Sequence, residues 1–243
     1  MKLSIIIPAY NEIKTIRQII DLVKKVLLPP GVEREIVVVD DGSTDGTRDV
    51  LKEIPGIRYI FHEKNLGKGG AVKTGFREST GDIVIIQDAD LEYDPNDYPA
   101  MIKPIIDGKT EMVNGVRIKP PHDVRKKKSL YWLSWLGNNL ITWTTNILYW
   151  NDAGEYEGCY KVFTKKLIDD VPVETNNFDF DNELVCRALR RGYKSFDVPI
   201  KYHPRNYEEG KKINWRHGFL ILKTIVKWRF KKAGEFTFIA RIF

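Results

Sequence analysis

Apolar and polar positions alternate in blocks through the first half of the chain. Short apolar runs at residues 3–7, 35–39, 57–61 and 83–86 read as strands. Between them, residues 12–27, 44–53, 68–79 and 96–106 place apolar side chains three or four positions apart and read as helices. Pro29-Pro30-Gly31 and Asp94-Pro95 punctuate the blocks, and a fifth strand is expected at 111–116. Strand–helix alternation predicts an α/β fold, with a mostly parallel central sheet flanked by helices on both faces.

The pattern changes after Val116. Residues 117–128 hold Arg117, Lys119, Arg125, Lys126, Lys127 and Lys128 around Pro120-Pro121. Residues 129–150 carry no charge and hold Trp132, Trp135, Trp143 and Trp150, four of the six tryptophans. A strand is expected at 160–163 and a helix at 182–191, closed by Gly192. Residues 215–230 read as a helix that mixes apolar side chains with Arg216, Lys223, Lys227 and Arg229. There is no internal repeat and no low-complexity segment, so residues 1–243 read as one domain.

Composition narrows the partners. The chain has 243 residues, 42% hydrophobic and 30% charged, which is globular rather than disordered. A net charge of +6 favours anionic partners: phosphates, acidic membrane surfaces or nucleic acid. Two cysteines do not make a disulfide framework, which points to a reducing compartment. The apolar N-terminal run is too short for a signal peptide. Residues 129–150 are long enough to cross a bilayer at roughly 20 residues per span. Asn138, Asn139, Asn146 and several Ser and Thr argue against a crossing.

Candidate chemistry gathers at the strand ends. Asp88-Ala89-Asp90 follows Ile83-Val84-Ile85-Ile86. Carboxylates there project into the crevice where α/β folds bind ligands, and a hard divalent cation bridging a diphosphate is the usual use for them. The bland alternative is a polar turn. Tyr10 follows the first strand and Pro8, placed to stack on a base or sugar, and Asn11 can cap the next helix. Asp40 or Asp41, after the second strand, can accept from a base N–H or a ribose hydroxyl, or can serve an Asx turn. Asn65-Leu66-Gly67-Lys68-Gly69-Gly70 opens a helix like a phosphate cradle but lacks P-loop spacing.

In this order the motifs resemble the nucleotide-sugar-binding half of glycosyltransferase family 2, the inverting GT-A class, with Asp88-Ala89-Asp90 matching its DxD motif. The resemblance spans roughly residues 3–230. Gly115-Val116-Arg117, Arg125, Ser129, Gly158-Cys159-Tyr160-Lys161-Val162-Phe163, and Arg205 with Glu209-Gly210-Lys211-Lys212-Ile213 look like the polyprenyl-phosphate sugar transferases. That subgroup includes the dolichyl-phosphate mannosyltransferases and their glucosyl counterparts.

The resemblance implies a GT-A nucleotide-diphospho-sugar transferase fold with C-terminal amphipathic helices. Residues 1–116 would bind the nucleotide sugar, 117–212 the acceptor, and 213–243 would be a membrane-associated tail. The donor, UDP- or GDP-hexose, would meet Pro8, Tyr10, Glu12, Asp40, Asp41, Lys68, Asp88, Ala89 and Asp90. Mg2+ or Mn2+ would sit on Asp88 and Asp90, with Glu92 close by. The acceptor would be a polyprenyl or dolichyl phosphate, seated by Arg117, Arg125, Ser129, Arg205 and Lys211. A phosphate nucleophile is largely ionised at pH 7 and hardly needs a general base. The family's acidic residue near the Cys-Tyr-Lys-Val-Phe strand corresponds to Glu155 by spacing or to Asp152 by residue type, and Gly158 replaces the usual Thr. With Asp90, these two are the candidate catalytic carboxylates.

Location at the cytoplasmic face of a membrane, as a peripheral protein, is the matching expectation, with the helices at 129–150 and 215–230 lying in the interface. Rivals are a family-2 enzyme with a hydroxyl acceptor, which would need a base, and a membrane-associated nucleotide-sugar-binding protein without chemistry. No nucleic-acid module is visible, so nucleic acid is not expected as a partner.

Overall fold

A computed structural model describes residues 1–117, 128–203 and 215–231. Seven strands form one sheet: β1 (Lys2–Ala9), β2 (Glu33–Asp40), β3 (Arg58–Phe61), β4 (Ile83–Ile86), β5 (Met112–Arg117), β6 (Lys161–Thr164) and β7 (Ser195–Ile200), in the order β3-β2-β1-β4-β6-β5-β7. β1 runs parallel to β2 and β4, β2 to β3, and β5 to β7, while β6 is antiparallel to both neighbours. The sheet is therefore mostly parallel, as expected. All four residues of β4 are buried, because helices cover both faces of the sheet.

The helices are α1 (Ile16–Lys25), α2 (Thr47–Lys52), α3 (Lys68–Glu78), α4 (Tyr98–Ile106), α5 (Lys128–Tyr149), α6 (Lys165–Asp170), α7 (Phe180–Arg190) and α8 (Trp215–Phe230). A Cβ on Gly75 would lie 2.3 Å from Cγ2 of Ile6, so the glycine lets α3 approach β1 closely. α5, α7 and α8 pack together. Tyr149 donates to the Ile225 carbonyl at 2.8 Å, and the Arg187 guanidinium stacks 4.1 Å over the buried Trp228 ring. The Thr224 hydroxyl donates to Asp179 at 2.6 Å, which ties α8 to the start of α7.

Three expectations need correction. Asn11 does not cap α1, which begins at Ile16 after Thr15. Its side chain accepts from the Thr44 amide at 2.9 Å, and its own φ of 56° is left-handed. β7 and α6 are additional to the predicted elements. β7 is an edge strand carrying Pro199, a residue that weakens a strand pattern in sequence but is tolerated where one side has no ladder partner. α6 has only six residues, too few for a clear period.

One topological feature builds the site. Because β6 is antiparallel to β4, the turn entering β6 lies beside the carboxyl end of β4. Residues near 157–160 are thereby brought to the strand end that carries Asp88. Among the described residues, no helix is long and apolar enough to cross a membrane.

Candidate active site

The floor of the site is a clamp on Gln87. Tyr98 and Tyr160 each donate a hydroxyl to Gln87 Oε1 at 2.6 Å, and its Nε2 donates to the Asp88 carbonyl at 2.9 Å. All three side chains are buried, so this network fixes where the chain leaves β4. Asp88 Oδ1 then pairs with Lys68 Nζ at 2.7 Å, each side chain about one-fifth exposed. Burial alone would raise Asp88 and lower Lys68, but each outweighs that for the other: Asp88 lies below the usual carboxylate range and Lys68 above the usual ammonium range. Ala89 is buried, and Asp90 Oδ1 accepts from the Glu92 amide at 3.1 Å across Leu91, whose φ is 64°.

The glycine-rich turn packs tightly against protein. A Cβ on Gly67 would meet the Asn176 carbonyl oxygen at 2.5 Å, and one on Gly69 would meet Asn176 and Phe180 at 2.8 Å. Gly70 N donates to that same carbonyl at 3.2 Å. The glycines let the first turn of α3 press against the segment before α7, which sets Lys68 over Asp88.

The two aspartates at the end of β2 separate cleanly. Asp41 accepts from Leu66 N and Gly67 N, both at 2.9 Å, and meets His62 Nδ1 at 2.7 Å. It organises the turn before Lys68. Asp40 is fully buried; its Oδ1 takes Arg48 Nε at 2.7 Å and Ser43 N at 3.1 Å, while its Oδ2 has no partner among the described residues. Tyr10, after β1, is 39% exposed. Pro8 lies within β1 beside Val39 of β2, and Glu12 accepts from the Thr15 hydroxyl at 3.0 Å.

Glu92 does not group with Asp88 and Asp90. It accepts from the Tyr202 hydroxyl at 3.2 Å, and its carbonyl accepts from His203 N at 2.8 Å. No set of three metal-ligating His, Cys, Asp or Glu side chains occurs among the described residues. Two carboxylates nonetheless fit a divalent ion whose remaining ligands are phosphate oxygens and water, the usual Mg2+ arrangement.

Arg117 and Glu155 form an ion pair, with the Arg117 amide also donating to Glu155 at 3.2 Å and its guanidinium 4.9 Å from the Tyr202 ring centre. Asp152 is exposed, on the side of the turn where Gly154 N binds Asp197. Arg125, Arg205 and Lys211 lie outside the described residues, as does the side chain of Ser129.

Two further acids, Glu157 and Asp181, each have one oxygen shut from solvent with no partner among the described residues. Glu157 and Asp181 are both raised by burial, with Lys161 partly opposing the shift. The Cys159 thiol is pushed well up, by burial first and by Asp88 second. No local signal marks Glu157 or Asp181; only the packing of α7 brings Asp181 near Asp88.

A central mostly parallel sheet with acidic residues at its strand ends defines a GT-A-type transferase fold. The sequence profile of Glycosyl transferase family 2 matches residues 4–171, and the chain belongs to that family. It is a glycosyltransferase. It is 27% identical over 248 residues to the UDP-N-acetylglucosamine–dolichyl-phosphate N-acetylglucosaminyltransferase of Methanococcus voltae, covering 94% of this chain and 96% of that one. It is 24% identical over 213 residues to glycosyltransferase AglD of Haloferax volcanii, covering 84% of this chain but only 34% of the relative's length. Among solved structures, glucosyl-3-phosphoglycerate synthase of Mycobacterium tuberculosis, in complex with Mn2+, UDP and phosphoglyceric acid, superposes with a TM-score of 0.71 at 19% identity, covering 94% of this chain and 78% of that one. That likeness is one of fold.

The Lys68–Asp88 pair yields a stability test. Lys68→Met leaves Asp88 buried without its partner and is expected to cost about 2–3 kcal/mol in chemical denaturation. The double variant Lys68→Met/Asp88→Asn is expected to recover most of that loss.

Proposed function

We propose that this chain is an inverting, metal-dependent transferase that moves a sugar from a nucleoside diphosphate to a polyprenyl or dolichyl phosphate at a membrane surface. The observation that carries the reading is Asp88-Ala89-Asp90 at the carboxyl end of β4, in a chain whose Methanococcus voltae relative is named for a dolichyl-phosphate acceptor. Asp88 and Asp90 would hold Mg2+ or Mn2+, which when bound neutralises charge on the departing diphosphate. The exposed Tyr10 ring suits stacking on the base, and Asp40 Oδ2, without a partner among the described residues, suits a donor from the base or ribose.

The acceptor phosphate oxygen attacks the anomeric carbon as the bond to the donor's β-phosphate oxygen breaks. The electron pair leaves with the nucleoside diphosphate, and the configuration inverts. A phosphate monoester, with a second pKa near about 6, is already largely dianionic at neutral pH. It needs a cationic seat more than a base, and Arg117 supplies a guanidinium for it, in exchange with or alongside Glu155.

The membrane part rests on a surface. Leu136, Leu140, Trp143, Ile147 and Trp150 recur every three or four residues along one side of α5 and its end, and all are exposed, Trp150 by 85%. Ile141, Thr145 and Tyr149 take the opposite, buried side. Phe219, Val226 and Phe230 of α8 are also exposed, on a helix that carries Lys223, Lys227 and Arg229. Tryptophans with basic neighbours suit an anionic lipid interface.

Release of nucleoside diphosphate from UDP- and GDP-sugars is expected to require both Mn2+ or Mg2+ and a short polyprenyl phosphate. Metal-dependent release that ignores the lipid phosphate and follows a sugar hydroxyl acceptor would replace this reading with a saccharide transferase. Trp143→Ser/Trp150→Ser is expected to weaken co-sedimentation with anionic vesicles by about tenfold or more. Unchanged partitioning would remove α5 from the membrane contact.

A further inference from the structure

The acceptor phosphate in the reaction proposed above needs the Arg117 guanidinium held in one orientation, because a bidentate grip depends on where the planar fork points. Arg117 is the last residue of β5, in register with Ile200 at the end of the parallel β7. Both strands leave the sheet at the same end, so Tyr202, two residues beyond Ile200, emerges beside Arg117. Its ring centre lies 4.9 Å from the guanidinium carbon. The side chains of Arg117 and its ion-pair partner Glu155 are 17% and 14% exposed, so the pair is not sealed from solvent.

Tyr202 is itself fixed from the donor side. It forms an antiparallel bridge with Tyr93, and the two rings lie 5.2 Å apart. Tyr93 is buried, and its hydroxyl accepts from Cys159 N at 3.1 Å. The next residue, His203, donates its amide to the Glu92 carbonyl at 2.8 Å. The Tyr202 hydroxyl donates to Glu92 Oε2 at 3.2 Å, and Glu92 N donates to Asp90 Oδ1 at 3.1 Å. A continuous set of contacts thus runs from Asp90 through Glu92 and Tyr202 to Arg117. An arginine stem is otherwise rich in rotamers, and a ring face beside the guanidinium closes off part of that freedom. A phenol that donates to a carboxylate also has a more electron-rich ring, which strengthens its hold on a cation.

We propose that Tyr202 is a positioning residue for the acceptor. Its ring holds the Arg117 guanidinium in the orientation that receives the lipid phosphate, and its hydroxyl, bonded to Glu92, sets that ring from the turn that carries Asp90. The inference rests on the transferase reading and deepens its acceptor site. Tyr202 touches neither the phosphate nor the reacting carbon in this scheme; it acts through Arg117.

The test is initial-rate kinetics of the full chain with Mn2+, its best UDP- or GDP-sugar and a short polyprenyl phosphate. Tyr202→Leu is expected to raise KM for the lipid phosphate by about tenfold, with kcat and the donor KM within about twofold of wild type. Tyr202→Phe keeps the ring and loses the bond to Glu92, so a smaller rise of about threefold in the acceptor KM is expected. Arg117→Ala/Tyr202→Leu is expected to be no worse than Arg117→Ala alone, because the ring acts through the guanidinium. A folded Tyr202→Leu with a wild-type acceptor KM, equal damage to donor and acceptor KM, or additive losses in the double variant overturns the inference. Tyr202→Phe decides where Tyr202→Leu folds poorly, and a wild-type acceptor KM there overturns the inference too. In each of these cases a raised acceptor KM in Arg117→Ala leaves the transferase reading standing. A wild type that releases no nucleoside diphosphate in response to the lipid phosphate removes that reading, and the inference with it.

Discussion

The ion pair between Lys68 and Asp88 is the constraint on which the rest of the site depends. Both charges are largely desolvated, and either one alone would be costly at that depth. Holding them together sets several other choices. Lys68 must sit in the first turn of α3, and that turn must come down onto the backbone at Asn176, which only glycines at 67 and 69 permit. Asp41 must fasten the turn before it. Gln87 must fix the chain just before Asp88, which it does through two buried tyrosines. A divalent ion on Asp88 would share that carboxylate with Lys68, and a donor phosphate brings the charge that lets an ammonium and a metal coexist.

The antiparallel β6 turns this local arrangement into a crevice. It sends the turn at 155–160 back past the end of β4, and α7 starts opposite. Lys68 pairs with Asp88 and Arg117 with Glu155, while Lys161 Nζ holds the turn through the Tyr156 and Gly158 carbonyls.

Much of the fold was legible because strands buried on both faces write continuous apolar runs, and β1, β2 and β4 do so. Helix starts were less legible, since the polar residues that resemble caps are used across the structure, as Asn11 is by Thr44. Asp88 and Asp90 could be singled out from their place after β4. Asp40 and Asp41 could not be told apart, because Arg48, His62 and the turn at 66–67 decide which oxygens are taken. The packing role of the glycines around Lys68 could not be read, because the segment that meets them comes from far along the chain. Glu157 and Asp181 carried no sequence signal for the same reason: their surroundings are tertiary.

The central claim is that Asp88 and Asp90 bind the donor through a divalent ion. Calorimetric titration of the wild type and of Asp90→Asn with UDP and with GDP, each with and without Mn2+, addresses it most directly. Mn2+ is expected to tighten binding of the preferred nucleotide to the wild type by about tenfold or more, roughly 1.4 kcal/mol, and Asp90→Asn is expected to lose that gain while keeping its metal-free affinity. Equal affinity with and without metal in the wild type, or a full metal-dependent gain in Asp90→Asn, would contradict the account.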